Sequence, residues 1–224
     1  MPALEPLVLE GRYVRLEPLT LGHAAALAAA ASGPRDTYGF TWVPDGELSA
    51  RKYIQGILDS QAAGTALAFA TIDAARAEVV GATRFLNIQF WDWPEGNDNQ
   101  RGEELPDAVE IGGTWLSDTA QRTPINSEAK LLMLTHAFET WRVHRVMLCT
   151  DARNSRSRTA IERVGGKLDG VLRGDRAGSD GSVRDTALFS ILEADWPPAK
   201  TALAVRLLGK PLPVRGIETI EANL

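Results

Sequence analysis

At 224 residues and 24.3 kDa, the chain is long enough for one or two domains with a sizeable core. A composition of 44% hydrophobic and 24% charged residues is that of a globular protein and excludes disorder as the main state. The single cysteine, Cys149, excludes an internal disulfide framework, the three scattered histidines offer no metal-ligand spacing, and a net charge of −5 argues against a nucleic-acid partner. The first residues lack a basic start followed by an apolar run, and no apolar stretch approaches the roughly 18 residues of a membrane span. The expectation is a soluble cytoplasmic protein with no metal and no membrane partner.

Leu7 to Leu16 alternates and carries Val8, Tyr13 and Val14, which reads as a first strand. Leu19 to Ala31 reads as a helix stopped by Ser32-Gly33-Pro34. A second helix starts at Ser49, places Tyr53, Ile54, Ile57 and Leu58 at helical spacing, and stops at Gly64. Ala66 to Ile72 and Glu78 to Phe90 form a hairpin, and Trp91 to Pro106, without periodicity, is a long loop. Ala108 to Leu116 is a strand. Thr123-Pro124 opens the longest helix, Pro124 to Trp141, apolar around most of its circumference and therefore buried against a sheet. Arg145 to Thr150 is a strand, and Ser155 to Val164 is a helix closed by Gly165-Gly166. Leu168 to Arg173 and Arg184 to Leu192 are the last strands, and Ala199 to Leu208 is a short helix. The order implies a mixed sheet with helices, α/β or α+β. With no repeat or low-complexity linker, residues 1–200 read as one domain and 201–224 as a C-terminal extension, a tail or a homo-oligomer contact.

Charge is spread unevenly. From Asp92 to Glu110 seven acids stand against Arg101 alone, a local −6, while Arg153 to Arg163 carries a local +3. Both read either as solvated faces or as one region attracting cations and another attracting anions. Two strand–helix units follow one another, and each sets a helix N-terminus, with its unpaired N–H groups, just past a strand end. The first junction supplies the donors Gln121, Arg122, Thr123 and Asn126; the second runs Asp151-Ala152-Arg153-Asn154-Ser155-Arg156-Ser157-Arg158. Two adjacent donor-rich junctions point to an extended, phosphate-bearing ligand. Thr123 and Asn154 also read as plain helix caps.

At this point the sequence resembles a family. Gly11–Leu19 (GRYVRLEPL), Glu110–Leu116 (EIGGTWL), Ser127–Val146, Asp151–Arg173 and Arg184–Leu192 (RDTALFSIL) are similar, in this order, to GNAT-fold N-acetyltransferases, and within them to the ribosomal-protein N-terminal (alanine/serine) acetyltransferases. The resemblance implies a mostly antiparallel mixed sheet, splayed between the family's fourth and fifth strands and flanked by helices, with acyl-coenzyme A in the opening. It implies acetyl-CoA as co-substrate, held by Trp115, Leu116, Gln121, Arg122, Thr123, Asn126, Ser127, Asn154 and Arg158. The family's pyrophosphate loop, Q/R-x-x-G-x-G/A, aligns with Gln121 to Asn126, where Pro124 and Asn126 replace the small residues that let backbone N–H groups approach a phosphate.

The reaction so implied moves acetyl, or another short acyl group such as succinyl, from coenzyme A to a primary amine. The amine belongs to a protein N-terminus, a lysine or a small molecule. An ammonium must lose a proton before it attacks, which calls for a base. Glu110 is the position-matched candidate and Asp107 the second. The tyrosine acid of many relatives is replaced by Ile161, leaving Ser157 as the nearest group to protonate the departing thiolate. A backbone N–H near Trp115 would polarise the acyl carbonyl. Trp91, Trp93 and Asp107 in or beside the acidic loop read as an acceptor site for a cationic amine, or as simple packing. Cys149 reads as a core thiol and His136 as a satisfied buried histidine. The rival readings are a non-catalytic acyl-CoA-binding module and, through the arginine cluster, a nucleic-acid-associated protein.

Overall fold

The computed structural model of the chain describes residues 5–102 and 104–209. Glu103 of the acidic loop and the end of the expected C-terminal extension lie outside the described residues. The strands are β1 Leu9–Glu10, β2 Val14–Pro18, β3 Ala66–Asp73, β4 Glu78–Gln89, β5 Ala108–Leu116, β6 Arg145–Asp151, β7 Lys167–Ala177 and β8 Val183–Leu192. The helices are α1 Ala24–Ala30, α2 Gly46–Ala62, α3 Ile125–Thr135, α4 Ser155–Arg163 and α5 Trp196–Leu208. One eight-stranded sheet runs β1-β2-β3-β4-β5-β6-β8-β7, antiparallel throughout except for the β5–β6 pair.

β3 shows how the sheet is sandwiched. Leu67 and Phe69 point into a core with Met133 and Leu134 of α3 and Leu203 of α5. Ala68 and Ala70, on the opposite face, meet Leu27 of α1 and Ala50 and Ile54 of α2. Large residues fill one side, and small ones let α1 and α2 lie close on the other. α1 and α2 join β3, β4 and Trp115 of β5 in this second core, which takes in no residue of β6, β7 or β8.

Three expectations change in detail. The first strand is broken into β1 and β2 by a turn at Gly11, because the N–H groups of Arg12, Tyr13 and Val14 all donate to the buried Glu128 carboxylate of α3, at 2.9, 2.5 and 2.9 Å. Three donors satisfy the charge and fix α3 against the sheet. The long helix is α-helical only to Thr135; His136–Thr140 is a π-turn, closed by Trp141 N–H donating to the His136 carbonyl at 3.0 Å, and the wider turn keeps Ala137, Phe138 and Trp141 all buried. The boundary expected at residue 200 falls inside α5, whose Leu203 and Leu207 are buried in the main core.

The glycine pair closes α4 as expected. Gly165 has φ +100°, and a Cβ there would come within 2.7 Å of Ala199 Cβ on α5. That contact seats α4 and α5 on the same face as α3, leaving the opposite face of β6 and β8 open.

Candidate active site

β5 and β6 pair over only three positions, Ala108 with Arg145, Val109 with Val146 and Glu110 with Met147. Beyond Glu110 the two strands run on, to Leu116 and Asp151, without pairing with each other. A bulge drives the divergence: two consecutive register partners, Ala82 with Trp115 and Arg84 with Gly112, leave one extra residue on β5. Gly113 takes φ +57° there, and a Cβ on it would lie 2.9 Å from Arg84 Nε. The result is a cleft whose closed end is at Glu110 and whose strands lead to the N-termini of α3 and α4.

Around the α3 start, several expected ligand donors are committed to the turn. Gln121 Nε2 donates to the Leu116 carbonyl at 3.0 Å, and Thr123 Oγ1 donates to the Ala120 carbonyl at 2.6 Å and accepts from Ile125 N–H at 3.4 Å. Thr123 thus locks the turn before α3, whose N-cap position is Pro124. Arg122 is exposed, and at φ +63° it takes a left-handed backbone that is uncommon for a residue other than glycine. The first-turn N–H groups of Asn126 and Ser127 precede any intrahelical acceptor. Asn126 Oδ1 is buried without a partner. An orphaned amide beside free N–H groups fits a polar ligand at this terminus, because the amide can turn to offer either its oxygen or its NH₂. The Trp115 side chain belongs to the second core, edge-on to Tyr38 and donating to Tyr53 Oη at 3.3 Å, and Leu116 is buried in the main core. Only their backbones are free to meet a ligand.

At the second junction Asn154 caps α4, its Oδ1 accepting from Ser157 N–H at 3.0 Å. The Ser157 hydroxyl, half-buried, has no hydrogen-bond partner among the described residues. Arg158 reaches the Ala152 carbonyl at 3.3 Å. Arg153 is held by Asp151 and Asp180 and lies over the Phe40 ring, while Arg156 donates to the Thr37 carbonyl at 3.2 Å. Arg153 and Arg156 thus engage neighbouring segments while remaining exposed, and Arg163 is exposed.

Glu110 is buried, and its Oε2 accepts from Asn87 Nδ2 at 2.6 Å. A Cβ on Gly112 would lie 3.0 Å from Glu110 Oε1, so the carboxylate sits beside the bulge at the closed end of the cleft. Asn87 stands in a second irregularity of β4, between Leu86 and Gln89, with φ +48°. A bulge re-aims a side chain, and asparagine tolerates the left-handed conformation this requires. Asn87 escaped the sequence reading; an asparagine inside an otherwise apolar strand was the signal available. A cavity of about 420 Å³ opens onto Glu110 and is lined by Asn87, Met147, Cys149, Arg176 and Leu188 among others. Cys149 is thus a half-buried wall of this cavity rather than a core thiol. Burial and the neighbouring Glu110 carboxylate push its thiol up to about 12, so it stays protonated and is no nucleophile at neutral pH.

Asp107, Trp91 and Trp93 lie apart from that cavity lining. Asp107 accepts from Trp91 N–H at 2.6 Å and from Trp93 Nε1 at 2.7 Å, one bond to each carboxylate oxygen. Both indoles pack on the His144 ring with centroids 5.6 Å away. These residues anchor the acidic loop to the start of β6, with Arg101 donating to Glu193. His136 differs from expectation too: its Nε2 is buried without a partner, and burial lowers its pKa, so it is neutral among Phe85 and Trp141. Lys130 of α3 is buried with no ion pair among the described residues, its Nζ donating to Thr114 Oγ1 at 2.6 Å and Thr83 Oγ1 at 3.3 Å beneath the β5 bulge. Burial alone pulls its pKa down to about 7. Among the described residues no cluster of histidine, cysteine and carboxylate groups is fit to hold a metal, and no helix is long and apolar enough to cross a membrane.

Residues 14–167, more than half of the chain, match the acetyltransferase (GNAT) domain family. The chain belongs to the GNAT acetyltransferase family. Among solved GNAT structures, a GCN5-related N-acetyltransferase from Brucella melitensis is 30% identical with a TM-score of 0.75, the match covering 92% of this chain and 87% of that one. RimJ of Mycobacterium smegmatis, solved in complex with CoA-disulfide, shares the fold at 22% identity and a TM-score of 0.69, over 90% of this chain and 93% of RimJ. A Bacillus subtilis protein named "Putative ribosomal N-acetyltransferase YdaF" is 30% identical over 88 residues, 39% of this chain and 48% of YdaF. The matched stretch therefore spans about half the length of that relative. The mixed open sheet and the flanking helices of the GNAT fold are as the sequence implied.

Proposed function

We propose that the protein transfers an acetyl, or another short acyl, group from coenzyme A to a primary amine by direct attack. The observation that carries this reading is the cleft itself: a parallel pair that parts at a buried carboxylate, with two donor-rich helix N-termini past its strand ends and a cavity at its closed end. Coenzyme A, as substrate, has a pyrophosphate for the first turn of α3 around Asn126 and Ser127, with Arg122 as an exposed counter-charge. Its pantetheine arm extends along β5 past Asn154.

Glu110, oriented by Asn87, takes the proton of the acceptor ammonium. The free amine attacks the thioester carbonyl, whose oxygen is polarised by a backbone N–H of β5 near Trp115. The carbon–sulfur bond then breaks, and the thiolate is protonated by the Ser157 hydroxyl as that hydroxyl takes up the proton shed by the attacking nitrogen, so the serine ends neutral. Cys149 forms no acyl intermediate because its thiol stays protonated. The acceptor amine sits on a protein N-terminus, a lysine or a small molecule; the name of YdaF, a ribosomal N-acetyltransferase, favours a protein acceptor.

Acetyl-CoA or coenzyme A at about 100 times its Kd is expected to stabilise the native state by about 2.7 kcal/mol. For a domain of this size that is a rise in Tm of about 5–10 °C. Absence of any shift at millimolar ligand would refute the coenzyme reading; a shift without acyl transfer to any amine would instead favour a non-catalytic binding module. Asn126→Asp is expected to weaken coenzyme A binding by setting a like charge beside phosphate, whereas Asn126→Gly restores the family's small residue and binds normally. Calorimetric Kd values that are equal for the two variants would remove Asn126 from the phosphate site.

A further inference from the structure

The cavity at Glu110 is lined by opposite charges that do not pair with each other, Glu110 on β5 and Arg176 on β7. Arg176 faces Arg184 directly across the β7–β8 ladder. Like charges in that position repel, and such pairs cost stability unless something neutralises them. The available acids are largely committed. Asp175 bonds Arg176 Nε at 2.7 Å and accepts from Thr186 Oγ1 at 2.7 Å, while Asp151 and Asp180 both hold Arg153. The Arg184 guanidinium enters no ion pair among the described residues, and its Nε is buried without a partner.

Arg184 alternates along β8 with Thr186 and Leu188, and Leu188 lines the cavity. The charges of both Arg176 and Arg184 act on the Cys149 thiol of the cavity wall, which puts the pair on the cavity side of the sheet. Asp151 and Asp175 act on the half-buried Arg184 only across a distance, and its buried Nε–H, left without an acceptor opposite a second arginine, is costly to keep without a further partner. A planar fork of donors is matched in shape to a carboxylate. The cavity, at about 420 Å³, is of the size that takes a small molecule or the end of a chain.

We propose that Arg176 and Arg184 form an anion-binding subsite on the β7–β8 side of the cavity, taking a carboxylate carried on a substrate carbon chain. The carboxylate belongs either to the acceptor, separated from its amine, or to the free end of the acyl group. The inference rests on the acyltransferase reading above and narrows its substrate class. Glu110 meets the amine and the arginine pair meets the anion, so that the cavity matches a substrate pair of mixed charge.

The test compares kcat/KM in two arms. The first sets ω-amino acids of increasing length against the alkylamines of the same length, with acetyl-CoA as donor. The second sets succinyl-CoA against acetyl-CoA with one alkylamine. At least one arm is expected to favour the charged substrate about tenfold or more, in the range of a charge-assisted hydrogen bond. That ratio should fall towards one in Arg184→Gln and Arg176→Gln and be partly retained in Arg184→Lys, which keeps the charge but loses the fork. Ratios near one in both arms, a preference that survives both glutamine substitutions, or no turnover while coenzyme A still raises Tm would each overturn the subsite. A loss of the coenzyme A shift itself would instead overturn the acyltransferase reading. Melting curves of each variant report whether it is folded.

Discussion

Glu110→Gln is expected to lower turnover about 10²–10⁴-fold at neutral pH, the usual cost of removing a general base. Coenzyme A affinity should be nearly unchanged. Glutamine keeps the volume and can still accept from Asn87 Nδ2, so the cavity is preserved and only the proton acceptor is lost. Part of the loss should return at high pH, where the acceptor deprotonates unaided. The recovery is centred near pH 8 for an α-amine and near 10.4 for a lysine, so the midpoint also reports the acceptor type. Ser157→Ala should show the complementary behaviour, slower turnover with no rescue by raised pH, because thiolate departure is not helped by base. Cys149→Ala should remain active, its thiol being protonated throughout the working range. Steady-state pH profiles of the three variants separate these roles. Wild-type turnover for Glu110→Gln at neutral pH would sink the base assignment. Asp107, whose oxygens each accept one N–H from Trp91 or Trp93, would then be the next residue to test.

Lys130→Met should stabilise the protein on the order of 4 kcal/mol at neutral pH, about 10 °C or more in Tm. Burial lowers the folded-state pKa of Lys130 to about 7, against an unfolded value near 10.5. Between those values the unfolded chain binds the extra proton, so wild-type stability rises with pH across that window. The penalty is complete below about pH 7, where both states are charged, and it is gone above about 10.5, where both are neutral. Methionine removes the penalty at every pH and leaves no orphan behind, because Thr83 Oγ1 and Thr114 Oγ1 already bond each other at 2.8 Å. The two melting curves should therefore stand furthest apart at pH 6–7 and converge towards pH 10. A gap that is absent at neutral pH, or constant with pH, would show that the lysine is not held in the dry environment the structure gives it. Lys130 lies under the bulge that opens the cleft. Turnover of the same variant tells whether its amine serves the reaction as well as burdening the fold.

The element order was legible in the sequence because it is written in local terms. The alternation of Leu67 and Phe69 with Ala68 and Ala70, the Thr123-Pro124 start and the Gly165-Gly166 stop each depend on a few neighbouring residues. So do the helix starts: Asn154 caps α4, and Thr123 locks the turn before α3. Glu110 was reached by its place in a strand matching a family pattern, and the structure gives it burial, a partner and a cavity. The same local reasoning left Asp107, Trp91 and Trp93 open between an acceptor site and packing. Acidity and aromatic character were visible in them, but their mutual hydrogen bonds and the stacking of both indoles on His144, far along the chain, were not.

Sequence alone determined the family, the order of strands and helices, and the donor-rich character of the two helix starts, since local propensity and short motifs fix these. Tertiary structure decided which side chains share a space. Asn87, Glu110, Cys149 and Arg176 come from four strands, and they converge only because two bulges shift the register of β4 and β5 and because β5 and β6 part after three pairs. A one-residue change of register sends a side chain to the other face of a sheet. No local pattern encodes that choice; it is set by the packing of α3 and α5 on one face and of α1 and α2 on the other.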